Sequence, residues 1–159
     1  MTVRIKICGI TNADDAQVAA AAGADYLGFV FHPRSPRYCP PDTVRRIVAG
    51  LPAGVHKVGV FVNLPQDDID TICGLCSLDV IQLHGAEPDS LIRALGADRV
   101  WKAFALRTPQ NVQTAAACPA RAVVADAGTA ARPGGTGTVC DWTLAVALAS
   151  RRAVVLAGG

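Results

Sequence analysis

Two groups able to move protons close apolar runs in this sequence. Cys8 ends Ile5-Lys6-Ile7-Cys8, and Asp126 ends Val123-Val124-Ala125-Asp126. A thiolate can remove a proton, and a partly desolvated carboxylic acid can supply one. Together they suit a reaction that takes a proton from one atom of a small substrate and delivers another elsewhere. Taken singly, Cys8 reads as a small buried hydrophobe and Asp126 as a turn or N-cap aspartate. The chemical reading gains its weight from the elements that carry these residues. Gly9, directly after the thiol, lets the backbone turn or approach a ligand closely.

Arg4, Lys6 and Cys8 alternate with Val3, Ile5 and Ile7, which predicts a strand with Lys6 and Cys8 on one face. The same reasoning predicts strands over 3–8, 25–31, 55–62, 79–84, 99–105, 120–126 and 151–157. It predicts one helix capped by Asn12 and closed by Gly23, then helices over 41–49, 66–76, 87–95, 109–117 and 140–149. A βα unit recurring about every 20 to 30 residues is the mark of an all-parallel α/β architecture. A doubly wound sheet would carry a nucleotide fingerprint after its first strand, and Cys8-Gly9-Ile10-Thr11 is not one.

A (β/α)8 TIM barrel predicts polar residues gathered at the C-terminal ends of many strands. Cys8, His32, Asn63, His84, Arg107, Asp126 and Gly158-Gly159 fall there. Gln82 and His84 share a face of the fourth strand, while Lys6 and Lys102 are expected to point into the barrel interior, each needing an anion or hydrogen-bond partner. The loop 127–139, with Gly134-Gly135-Thr136-Gly137, reads as a lid over a site or as an ordinary surface loop. Gly158-Gly159 after the seventh strand suits phosphate binding through backbone N–H groups.

Composition narrows the classes of partner. A net charge of +2 with no basic stripe argues against nucleic acid. Hydrophobic residues make up 51% of the chain, as buried parallel strands require, yet no apolar run is long enough to cross a bilayer. With no secretion signal in view, a cytoplasmic enzyme whose six cysteines are thiols is expected. Cys73-Gly74-Leu75-Cys76 has the spacing of half a zinc site but lacks a second pair, so it reads as a helix end and no metal is assigned.

The segments Lys6-Ile7-Cys8-Gly9-Ile10-Thr11, Leu27-Gly28-Phe29-Val30-Phe31 with Ser35-Pro36-Arg37-Tyr38, Val58-Gly59-Val60-Phe61-Val62 and Ile81-Gln82-Leu83-His84-Gly85 occur in order. Asp126 then precedes Gly134-Gly135-Thr136-Gly137 and Asp141-Trp142. As a set they resemble the phosphoribosylanthranilate isomerases of tryptophan biosynthesis. The resemblance implies a cofactor-free, metal-free Amadori rearrangement of N-(5′-phosphoribosyl)anthranilate to 1-(2-carboxyphenylamino)-1-deoxyribulose 5-phosphate. It implies Asp126 as the acid that protonates the furanose oxygen and Cys8 as the base at C2′. Arg37 would bind the anthranilate carboxylate, with Gln82, His84, Gly135, Gly137, Gly158 and Gly159 as further substrate-binding residues. Cys39, Cys73, Cys76, Cys118 and Cys140 match no functional position.

Family members continue past a seventh strand for a helix, a strand and a helix. The expectation is therefore a single barrel domain over 1–159 that is C-terminally incomplete, with about seven strands and about six helices. The outer ladder edges of the first and seventh strands would then lie open. The partner expected is the small-molecule substrate, with neither nucleic acid nor membrane, in a monomer or a homodimer. The alternatives are another phosphate-binding barrel enzyme, or an inactive fragment that binds ligand without turnover.

Overall fold

Local signals set where the helices begin. The side-chain oxygen of Asn12 accepts the Asp15 amide at 2.8 Å and caps α1 (Ala13–Ala21), and Thr108 caps α5 (Pro109–Ala117) through a reciprocal capping box with Asn111. Proline stands in the first turn of α2 (Pro41–Ala49) and α5, where its missing N–H costs nothing. The computed structural model describes residues 3–126 and 141–157; Gly135, Gly137, Cys140, Gly158 and Gly159 lie outside the described residues.

The chain divides into two units, residues 1–82 and 83–159. The first holds β1 (Lys6–Cys8), α1, β2 (Tyr26–Val30), α2, β3 (His56–Phe61), α3 (Gln66–Cys76) and most of β4 (Val80–Leu83). The β1–β2 and β2–β3 ladders are parallel, with Cys8 opposite Gly28 and Gly28 opposite Val58. Leu27, Phe29, Val44, Val58, Phe61, Ile69 and Ile81 form its fully buried core. Two aspartates start the ladders in the same way: Asp25 accepts the Ile5 amide at 2.7 Å and Asp79 accepts the Lys57 amide at 2.7 Å. That use of a side chain in place of a ladder partner is why β1 begins at Lys6 and not at Val3.

The second unit holds α4 (Asp89–Ala94), a short 3-10 turn (Ala97–Arg99), β5 (Val100–Ala105), α5, β6 (Ala122–Asp126), α6 (Trp142–Ala149) and β7 (Val154–Leu156). Its ladders are again parallel. Val123 and Ala125 of β6 pack with Val112, Ala115, Ala145 and Leu148 of α5 and α6, so these odd positions face the helices. The guanidinium of Arg152 donates to the carbonyls of Ala115, Ala116, Cys118 and Ala120, closing the C-terminal end of α5. With Arg151 and Arg152 still bonded to Leu148 O, β7 starts only at Val154.

Within each unit the strands stand in chain order. That is the order of a (β/α)8 barrel, whereas a doubly wound sheet reverses at a switch point. Among the described residues β1 pairs with β2 and β7 with β6. Val3, Ile5, Ile7 and Val18 are exposed in the first unit, and Trp142, Val146 and Leu156 in the second. No helix among the described residues is long and apolar enough to cross a membrane.

Candidate active site

In the first unit the site is built around Cys8. Because Cys8 pairs with Gly28 in the parallel register, the thiol and the Lys6 side chain lie on the face where Gly28 has no side chain. A Cβ at Gly28 would stand 2.8 Å from Cys8 Sγ and 3.0 Å from Lys6 Cε. Glycine is what leaves room for the sulfur. Cys8 is half-buried, whereas Cys39, Cys73, Cys76 and Cys118 are buried. Burial pushes the Cys39 and Cys76 thiols up from their ordinary value, aided at Cys76 by the neighbouring Cys39 and Asp42. Those two groups are poor thiolates, and Cys73 and Cys76 belong to α3 as the helix reading expects.

Arg37 reaches the same place from the loop after β2. The loop is folded by Ser35 N donating to His32 O (2.9 Å), Tyr38 N to Ser35 O (3.1 Å) and Arg37 N to Ser35 Oγ (3.2 Å). Arg37 Nη1 then donates to Cys8 O at 3.4 Å. Gly9 has φ +91°, and a Cβ there would meet Arg37 Cδ at 2.5 Å, so the arginine stem passes directly over Gly9. The structure thus brings an exposed guanidinium to the backbone of half-buried Cys8. Buried Gln82 accepts from Lys6 Nζ at 2.8 Å, which supplies the lysine's expected partner.

In the second unit Asp126, last residue of β6 and 6% exposed, meets His84 just past the end of β4. His84 Nε2 and Asp126 Oδ2 are 2.8 Å apart. This resolves the cost of a carboxyl on an apolar strand by pairing it. Which of the two donates depends on the imidazole tautomer. Asn63 and Arg107 serve turns as well: Asn63 has φ +52°, and Arg107 N donates to Asn111 Oδ1 at 3.2 Å.

Lys102 corrects the expectation of a lysine pointing into the barrel interior. It pairs with Val123, and Val123 faces the helices, so Lys102 does too. With Phe104 it lines a cavity of about 450 Å³ alongside Thr114, Ala117 and Cys118. Its partner is Glu87, 3.3 Å away, a residue the sequence reading placed inside the fourth helix. Glu87 instead precedes α4, with both carboxylate oxygens on the Gly85 amide at 3.1 and 2.9 Å. What decides the side is the register of β5 against β6. Lys102 and Phe104 are out of phase with Asp126 once Ala105 is set opposite it.

Parallel strands in chain order, with a thiol and a His-paired carboxyl at strand ends, are the arrangement of a (β/α)-barrel enzyme. The family model described as N-(5′phosphoribosyl)anthranilate (PRA) isomerase matches residues 5–159. The chain belongs to that family. It is 44% identical over 156 residues to the N-(5′-phosphoribosyl)anthranilate isomerase of Citrifermentans bemidjiense, covering 98% of this chain and 75% of that one. The crystal structure of phosphoribosyl anthranilate isomerase from Thermus thermophilus superposes with a TM-score of 0.89 at 39% identity, covering 99% of this chain and 77% of that one. A further structure of the isomerase, in complex with reduced 1-(o-carboxyphenylamino)-1-deoxyribulose 5-phosphate, gives a TM-score of 0.85 at 36% identity, covering 99% and 76%.

Proposed function

We propose that this chain performs the isomerisation of its family, converting N-(5′-phosphoribosyl)anthranilate to 1-(2-carboxyphenylamino)-1-deoxyribulose 5-phosphate in tryptophan biosynthesis. The observation that carries the reading is the family match across residues 5–159. In this reading Asp126, held by His84, protonates the furanose ring oxygen. The C1′–O bond breaks as the anthranilate nitrogen lone pair forms the Schiff base. The Cys8 thiolate takes the proton from C2′, and the resulting enolamine tautomerises to the ketose. No electrons leave the substrate, so no redox partner enters the balance.

Arg37 binds the anthranilate carboxylate through its planar fork. Its contact with Cys8 O at 3.4 Å supports this role, since an anthranilate held there lies next to the base. Gln82, His84, Gly135 and Gly137 are further substrate-binding residues, and the backbone of Gly158 and Gly159 receives the sugar phosphate. The setting is the cytoplasm and the partner is the small-molecule substrate. The test is steady-state turnover of the purified chain with phosphoribosylanthranilate, followed by loss of substrate fluorescence. Turnover that Cys8→Ser and Asp126→Asn both abolish supports the reading; turnover that survives either change overturns the role of that residue.

A further inference from the structure

Gly85 is held on both sides by one buried ion pair. Its N–H donates to both oxygens of Glu87 at 3.1 and 2.9 Å, and its carbonyl accepts from Lys102 Nζ at 2.7 Å. The two side chains close the ring on each other, Lys102 Nζ to Glu87 Oε2, at 3.3 Å and 7% and 2% exposure. Lys102 is fixed further by Ala103 O at 3.1 Å and by the Phe104 ring, 5.4 Å from its centroid. Taking two charges out of water is costly, and such a pair is weak evidence for stability alone. What it does here is specify the position of a peptide.

That peptide follows His84, whose Nε2 lies 2.8 Å from Asp126 Oδ2. β4 ends at Leu83, so His84 is the first residue past the strand and Gly85 the second. We propose that Lys102 and Glu87 are a positioning clamp: by fixing Gly85 they fix the seat of the His84 ring against the Asp126 carboxyl. Neither touches substrate. The inference rests on Asp126 being the acid, and it adds two residues on the helix-facing side of the sheet to the machinery of the reaction. His84 Nε2, 2.8 Å from Asp126 Oδ2, sets the turn of the carboxyl. A misplacement on the order of 1 Å at such a group costs up to about a hundredfold in rate.

The test is a double-mutant cycle. Removing one member strands the other's charge, so the working variant is Lys102→Met with Glu87→Gln together, checked for folding by circular dichroism. We expect kcat to fall at least about tenfold with KM within about twofold of the parent, because positioning acts on the chemical step. In a His84→Ala background the same double change should cost nothing further, since its effect passes through His84. Conservative Lys102→Arg should recover part of the rate. Full turnover in the double variant beside an inactive Asp126→Asn overturns the clamp alone. An equal fold-loss with and without His84 overturns it too, by showing general structural damage. Full turnover in Asp126→Asn overturns the acid assignment and the clamp with it.

Discussion

Gly28→Ala is the sharpest probe of how the sheet positions the Cys8 thiol, the base in the reading proposed above. The added Cβ would stand 2.8 Å from Cys8 Sγ, 3.0 Å from Lys6 Cε and 3.2 Å from Cys8 Cα. Ordinary contact between such atoms is about 3.5 to 4.0 Å, so the sulfur must retreat by roughly 1 Å. The Lys6 tail can bend away at little cost. Cys8 cannot, because its amide neighbours are tied to Gly28: Gly9 N and Ile10 N both donate to Gly28 O, at 2.9 and 3.1 Å. A shift of about 1 Å at a reacting group costs on the order of a hundredfold, or about 2.7 kcal/mol of barrier. Overpacking costs about 1 to 3 kcal/mol of stability, which leaves most of the protein folded. The assay is single-turnover loss of substrate fluorescence with enzyme in excess, so that product release does not mask chemistry. Chemistry slowed about a hundredfold with KM little changed is the expected result. A rate within about twofold of the parent would refute the claim that Gly28 makes room for the base.

Arg37→Lys should raise KM by roughly ten- to a hundredfold with a smaller effect on kcat, because a point charge replaces a fork that binds a carboxylate twice; initial rates against substrate concentration decide it. Iodoacetamide near pH 8 should alkylate Cys8 well before Cys39 and Cys76, whose burial raises their thiols, and mass spectrometry of the digested protein reads the order. The same burial gives a pH dependence of stability. A thiol raised in the fold above its unfolded value of about 8.5 favours folding fully below that pH, and the benefit is lost as pH climbs through the raised value. Urea midpoints should therefore decline above about pH 9, and the decline should flatten in a Cys39→Ala, Cys76→Ala variant.

The helices were legible where the sequence carries its own stops. Proline at the start of α2 and α5 and the left-handed Ser77 after Cys76 give α2, α3 and α5 the bounds that periodicity predicts. Strand ends were less legible, because side chains take over ladder bonds at Asp25 and Asp79 and helix bonds persist through Arg152. Of the candidate site, the position of Cys8 and Asp126 at strand ends could be read, and strand ends are where this architecture keeps its chemistry. The pairing of His84 with Asp126 could not, since 42 residues separate them and only the fold brings them to 2.8 Å. Lys102 was assigned the wrong side for a related reason. A single residue of phase decides between the two faces of a strand, and a lysine among apolar neighbours does not announce its phase.

The phase of β6 makes the Asp126 carboxyl a hostage of the core. Val123 and Ala125 are locked into the cluster with α5 and α6, and Asp126 takes the opposite face only because they do. Sliding β6 by one position would drive a carboxyl into that apolar cluster, a state too costly to populate. The protein therefore has no cheap way to be well folded and wrongly aimed at this residue. Packing supplies a form of proofreading, in which the greasy side of the strand guarantees the orientation of the reactive one. Selection on this strand acts on its alternation as a whole, so a change at Val123 that leaves Asp126 untouched is still a change to how that carboxyl is aimed.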